Sequence, residues 1–116
     1  MRYMLLISSN EEVARQRSQA ELDAEFAAYG AFTKEVEERG VFLSGEGLHP
    51  VNAATTVRVR DGKVLTTDGP FAETKEQLSG FYVLKCKNLD EAIEFAAKIP
   101  GAQIGSIEIR PVMEWD

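Results

Sequence analysis

Apolar residues fall along this chain in two periods, and the switching between them lays out the elements. Tyr3 to Ile7 is apolar at every position, so it predicts a strand that must be covered on both faces. A polar loop follows. Ser18 with Glu21 then forms a capping-box pair, and Leu22, Phe26, Tyr29, Phe32 and Val36 recur at spacings of three and four. These positions predict an amphipathic helix of about five turns, closing at Arg39-Gly40. Val41 to Ser44 returns to an extended pattern. Thr55 to Arg60 alternates, with Val57 and Val59 on one face and Arg58 and Arg60 on the other; Asp61-Gly62 is a strong hairpin turn, and Lys63 to Thr67 must come back antiparallel. Phe81 to Cys86 is again apolar on both faces except at Lys85. Asn88 and Glu91 start a second helix, whose buried side is expected at Leu89, Ala92, Ile93, Ala96 and Ile99 until Pro100 and Gly101 stop it. In a last strand Ile107 and Ile109 alternate with Glu108 and Arg110.

The order is strand, helix, strand, hairpin, strand, helix, strand. With 116 residues the chain fits one domain, residues 1–116. Two helices cover only one face of a sheet. The second apolar side of Tyr3–Ile7 and Phe81–Leu84 therefore needs another cover, and the simplest is a second copy of the sheet about a two-fold axis. A homodimer is expected.

Composition narrows the function classes. A formal charge of −6 opposes binding to a phosphate backbone, so no nucleic-acid partner is expected. The single cysteine, Cys86, cannot make an internal disulfide and lies in an apolar strand, which fits a small buried residue in a reduced, cytoplasmic setting. No apolar run reaches transmembrane length, and the apolar start is too short for a signal segment, so no membrane association is expected. There is no GxxxxGK[ST], GxGxxG or G-x-S-x-G run and no metal-ligand spacing, hence no expected cofactor or metal.

Two irregular segments could hold chemistry. Thr67 to Leu84, TDGPFAETKEQLSGFYVL, opens with Asp68-Gly69-Pro70, which makes a shaped turn, and continues as a polar loop. Gly45-Glu46-Gly47-Leu48-His49-Pro50 holds the only histidine. The hairpin places Asp68 at the end opposite Asp61-Gly62, on the side where Ala53-Ala54 and His49-Pro50 approach. His49 as a general base oriented by Asp68 is thus a candidate pair. Arg58, Glu73 and Lys75 are candidates for polar groups of a ligand, and Tyr29, Phe71 and Tyr82 for the walls of a cleft.

TDGPFAETKEQLSGFY, with GEGLHP and ATTVRVRDGKV before it and GSIEIRPV after it, resembles the DGPF branch of the YCII-related family over nearly the whole chain. The resemblance implies a ferredoxin-like α+β fold, (βαβ)2 with an inserted β-hairpin, pairing into a dimeric α/β barrel. It also implies a His–Asp pair in the wider family, one branch of which is linked to dehydrochlorination in aromatic breakdown. This chain departs there: Tyr29 stands where the family's helix histidine is expected, so the family pair does not transfer and His49–Asp68 is a separate reading. Two functions follow as expectations. The first is a dimer binding a small polar or aromatic molecule between the His49 loop and the DGP loop, with acid/base chemistry. The alternative is a non-enzymatic accessory module, since relatives of this branch occur beside or fused to sigma factors.

Overall fold

A computed structural model describes residues 1–115 of the chain. Its centre is a four-stranded antiparallel sheet in the order β2-β5-β1-β6, formed by β1 (Arg2–Ser9), β2 (Phe42–Gly47), β5 (Gln77–Lys85) and β6 (Ser106–Pro111). The two strands that read as apolar on both faces, β1 and β5, occupy the middle, where neither edge is exposed to solvent. Met4 sits opposite Val83 and Leu6 opposite Phe81 across that central pair. The fold is the ferredoxin-like α+β arrangement expected.

Helices α2 (Gln19–Glu38) and α3 (Leu89–Lys98) cover one face of the sheet. Tyr3, Leu5 and Ile7 of β1 and Tyr82 and Leu84 of β5 point into that layer and meet Phe32, Val36, Ala92, Phe95, Ala96 and Ile99. Alternation along the strand sends Met4, Leu6 and Phe81 to the other face, where no helix lies; they are half-buried. Both helices start as read. The Ser18 hydroxyl accepts from the Glu21 N–H while the Glu21 carboxylate accepts from the Ser18 N–H, and the Asn88 side chain accepts from the Glu91 N–H at 3.0 Å.

The buried stripes differ from the expected ones. In α3, Leu89 and Ile93 are exposed and Phe95 is fully buried, because the inward face is centred on residues 92, 95, 96 and 99. In α2 only Phe32 and Val36 reach the core. Phe26 is 83% exposed and Phe32 only 4%, although both lie on the same predicted stripe. The N-terminal half of α2 therefore runs past the packed layer with its apolar side open. A further short helix, α1 (Glu11–Ala14), occupies the stretch expected to be loop, capped by the Asn10 side chain.

The hairpin is a second sheet of its own. β3 (Thr55–Arg60) pairs with β4 (Lys63–Asp68), and no strand of it pairs with the four-stranded sheet. Asp61 and Gly62 both take positive φ, 51° and 73°, as the two-residue turn requires. The result is an arm. Its effect is visible in the radius of gyration, 16.1 Å, against about 13 Å for a compact domain of this length.

Candidate functional site

The open half of α2 overhangs the β2 edge of the sheet, and the gap between them is a cavity of about 510 Å³. One wall is Leu22, Glu25, Phe26, Tyr29 and Thr33 of α2; the other is Phe42, Gly45, Glu46 and Gly47 of β2 with Ser79, Gly80, Phe81 and Tyr82 of β5, and Ile7 of β1 lies beneath. Two glycines bring the strands and the Tyr82 ring close together on this wall. A Cβ at Gly45 would stand 2.8 Å from the Tyr82 ring, and one at Gly80 would stand 2.7 Å from the Glu46 carbonyl oxygen. Glycines inside strands mark such close approaches.

Aromatic rings make up much of the wall, and hydrogen-bonded hydroxyls run along it. Phe32 and Phe42 meet the Tyr82 ring edge-on, with centroids 5.0 and 6.3 Å away, which fixes its orientation. The Tyr82 hydroxyl lies 2.8 Å from the Thr33 hydroxyl. The Tyr29 hydroxyl accepts from the Gly101 N–H at 3.1 Å, leaving its own proton to be donated. Burial, with the Glu25 carboxylate next in effect, raises the Tyr29 pKa above the usual phenol range, so it is a neutral donor near pH 7. Glu25 is held in a two-pronged ion pair by Arg17. Among the described residues, the charged ones on the cavity walls are Glu25 and Glu46, both acidic.

A larger hollow of about 650 Å³ lies between α2 and α3, lined by Ala24, Ala28, Ala31 and Ala97 among others. It is a shallow groove between packed helices without an aromatic wall beyond Phe32. Among the described residues, no group of three or more His, Cys, Asp and Glu side chains could hold a metal ion, and no helix is long and apolar enough to cross a membrane.

The candidates read from the sequence separate into two places. Tyr29 and Tyr82 line the cavity. His49, Asp68, Arg58, Phe71, Glu73 and Lys75 do not; they belong to the arm and the loops at its root. The Asp68 end of the hairpin does meet the segment that leads into it. Thr55 faces Asp68, the Gly69 N–H donates to the Ala54 carbonyl at 2.7 Å, and the Thr56 hydroxyl donates to the Gly69 carbonyl at 2.8 Å. His49 and Asp68 are both exposed, and among the described residues no hydrogen bond or ion pair joins them. Arg58 donates to the Phe71 carbonyl at 3.4 Å, tying down the loop, while the Phe71 ring is 79% exposed. Glu73 and Lys75 are exposed.

Sequence reasoning passed over Leu22, Glu25, Phe26, Thr33, Gly45, Gly47 and Gly80. The extended pattern stops at Ser44 and Gly45–Gly47 reads as an irregular segment, whereas β2 runs on to Gly47; Leu22 and Phe26 read as core because they share the spacing of Phe32 and Val36.

A ferredoxin-like domain with a largely apolar pocket between its first long helix and an edge strand defines the class. The YCII-related domain model matches residues 1–116, and the chain belongs to that family. An uncharacterized protein of Rhizobium meliloti is 39% identical over 114 residues, covering 97% of this chain and 92% of the relative. Among solved structures, the 5-chloro-2-hydroxyhydroquinone dehydrochlorinase of Burkholderia phenoliruptrix, in complex with 2,5-dihydroxybenzoquinone, superposes with a TM-score of 0.55 at 13% identity. That match spans 99% of this chain and 96% of that one. At this identity the likeness concerns the fold.

Proposed function

We propose that the protein is a homodimer that binds a small, flat aromatic molecule carrying hydrogen-bond donors in the cavity between α2 and the β2–β5 edge. The observation that carries this reading is the lining: aromatic rings from Phe26, Phe42 and Tyr82, hydroxyls from Tyr29, Thr33 and Tyr82, and the carboxylates of Glu25 and Glu46. Acidic groups accept hydrogen bonds from phenols, amines and cations and repel carboxylates, so the ligand is neutral or cationic. The 2,5-dihydroxybenzoquinone held by the dehydrochlorinase is a small flat ring, which supports a ring-sized ligand; as a vinylogous acid it is anionic near neutral pH, so the preference for a neutral or cationic ring rests on Glu25 and Glu46 alone. Within the cavity Tyr29 is the proton donor and the Arg17-held Glu25 the acceptor, so acid/base work falls to these two groups. His49 and Asp68 stand outside it. The dimer rests on the helix-free face of the sheet, where Met4, Leu6, Phe81 and Val83 form an apolar band that a second sheet would cover.

The test is calorimetric titration with hydroquinone, catechol, aminophenol and benzoate, against the native protein and Thr33→Val. The hydroxylated and amino rings should bind at least tenfold more tightly than benzoate, and Thr33→Val should weaken them several-fold. Tightest binding by benzoate would overturn the ligand class. Binding by none of the rings would favour the accessory-module reading.

A further inference from the structure

Besides the helix-free sheet face, two further apolar surfaces among the described residues are exposed. One is the face of the arm carrying Val57, Val59 and Val64, 59%, 57% and 68% exposed; Val59 and Val64 are cross-strand partners. The other is the outer stripe of α2, where Phe26 stands at the mouth of the cavity. The arm cannot use its own sheet, since it pairs with none of that sheet's strands. Both surfaces sit at one edge of the subunit: β2 ends at the cavity rim with Gly47, the Leu48 N–H donates to the Ser79 carbonyl at 2.8 Å, and the arm begins at Thr55.

We infer that the β3–β4 arm of one subunit lies along the α2 stripe of a second copy and closes its cavity, the valines covering Phe26. Charge selects this occupant. Helix α2 carries six carboxylates against one lysine, in a chain of net charge −6. Of these, Glu21, Asp23 and Glu37 have no cationic partner among the described residues. The arm's cations Arg58, Arg60 and Lys63 likewise have no carboxylate partner there, and Arg60 and Lys63 flank the tip, from which long side chains reach round the edge of a two-stranded ribbon. The lengths also agree. Asp23 and Glu37 share the stripe with Phe26 and lie about 21 Å apart at helical rise; a six-residue strand spans about 20 Å. A two-fold axis makes the contact reciprocal, each arm closing the other subunit's cavity, which ends the assembly at two copies.

This inference rests on the homodimer proposed above, and one experiment separates their failures. Isotope-labelled protein is refolded with an excess of unlabelled Lys63→Cys protein carrying a nitroxide; Cys86 is buried and stays unlabelled. Sedimentation of the mixture reports the dimer, and amide signals report where the partner's arm tip lies. Signals of residues 22–37 should lose more than half their intensity and recover on reduction of the nitroxide. Loss confined to residues 55–68 would mean that arm meets arm, and no loss in a dimeric sample would mean that the arm is free; either overturns the closure. A monomer in sedimentation overturns the closure together with the dimer. Arg60→Glu with Lys63→Glu, which alters only the exposed tip, should raise the dimer dissociation constant at least tenfold; an unchanged constant overturns the charge pairing.

Discussion

The central strand β1 and the arm strand β3 are both rich in β-branched and aliphatic residues, and they meet opposite fates. In β1, Leu5 is fully buried and its neighbours Tyr3 and Ile7 nearly so; in β3, Val57 and Val59 are more than half exposed. Local propensity does not distinguish them. What differs is whether something in the same subunit lies opposite. β1 has β5 and β6 on its flanks and two helices above, whereas β3 has only β4. The alternation of a strand states that one face seeks cover, and the rest of the fold decides where the cover comes from.

The largest effect that would sharpen this contrast is in the sheet. Leu5→Ala should cost about 3 kcal/mol of unfolding free energy, because it leaves a cavity in the fully buried core cluster; urea denaturation measures it, and a loss below 1 kcal/mol would mean that β1 is not the packed centre. Next is Gly80→Ala, where the added carbon meets the Glu46 backbone oxygen. It should cost about 2 kcal/mol by forcing β2 away from β5, and amide exchange should quicken first in residues 42–47. If β2 remained as protected as β1, the close approach would be unimportant.

Smaller still is Tyr29→Phe, which leaves the Gly101 N–H without its acceptor at a loss of about 1 kcal/mol. This variant also has a pH signature. The folded Tyr29 phenol has a raised pKa. Its stabilising contribution is thus complete below the unfolded value of about 10 and is lost as pH rises from there through the folded value. Thermal melts at pH 8 and pH 11 should show a smaller alkaline drop in Tyr29→Phe than in the parent; equal drops would remove Tyr29 from the buried strip. Smallest is Val59→Ser in the arm. At high dilution it should change subunit stability by less than about 0.5 kcal/mol, with a deficit that grows as protein concentration is raised into the range of dimerisation. A large, concentration-independent loss would place Val59 inside its own subunit after all.

Much of the fold was legible locally. Ser18 with Glu21 and Asn88 with Glu91 marked both helix starts, Asp61-Gly62 marked the hairpin, and two doubly apolar strands identified the middle of the sheet. The candidate site was legible only in part. Tyr29 and Tyr82 were read as cleft walls and line the cavity. Phe26 was read as core because periodicity assigns a residue to a helix face without saying how far along the helix the packed layer extends. His49 and Asp68 attract notice as residue types, yet residue type carries no information about the direction of a side chain on an exposed loop.

The sequence by itself determined the order of the strands and the two long helices, their caps, the turn geometry and the membership of the family, since each depends on residues within a few positions of one another or on a pattern spread over the whole chain. Only the tertiary structure decided that α2 overhangs the β2 edge, that glycines 45 and 80 let the strands and the Tyr82 ring come together beneath it, and that the hairpin leaves the sheet as a bare arm. Those outcomes depend on which surfaces meet across tens of residues of chain, as Glu46 meets Gly80, Thr33 meets Tyr82 and Tyr29 meets Gly101. Packing sets such contacts, and no local pattern encodes them.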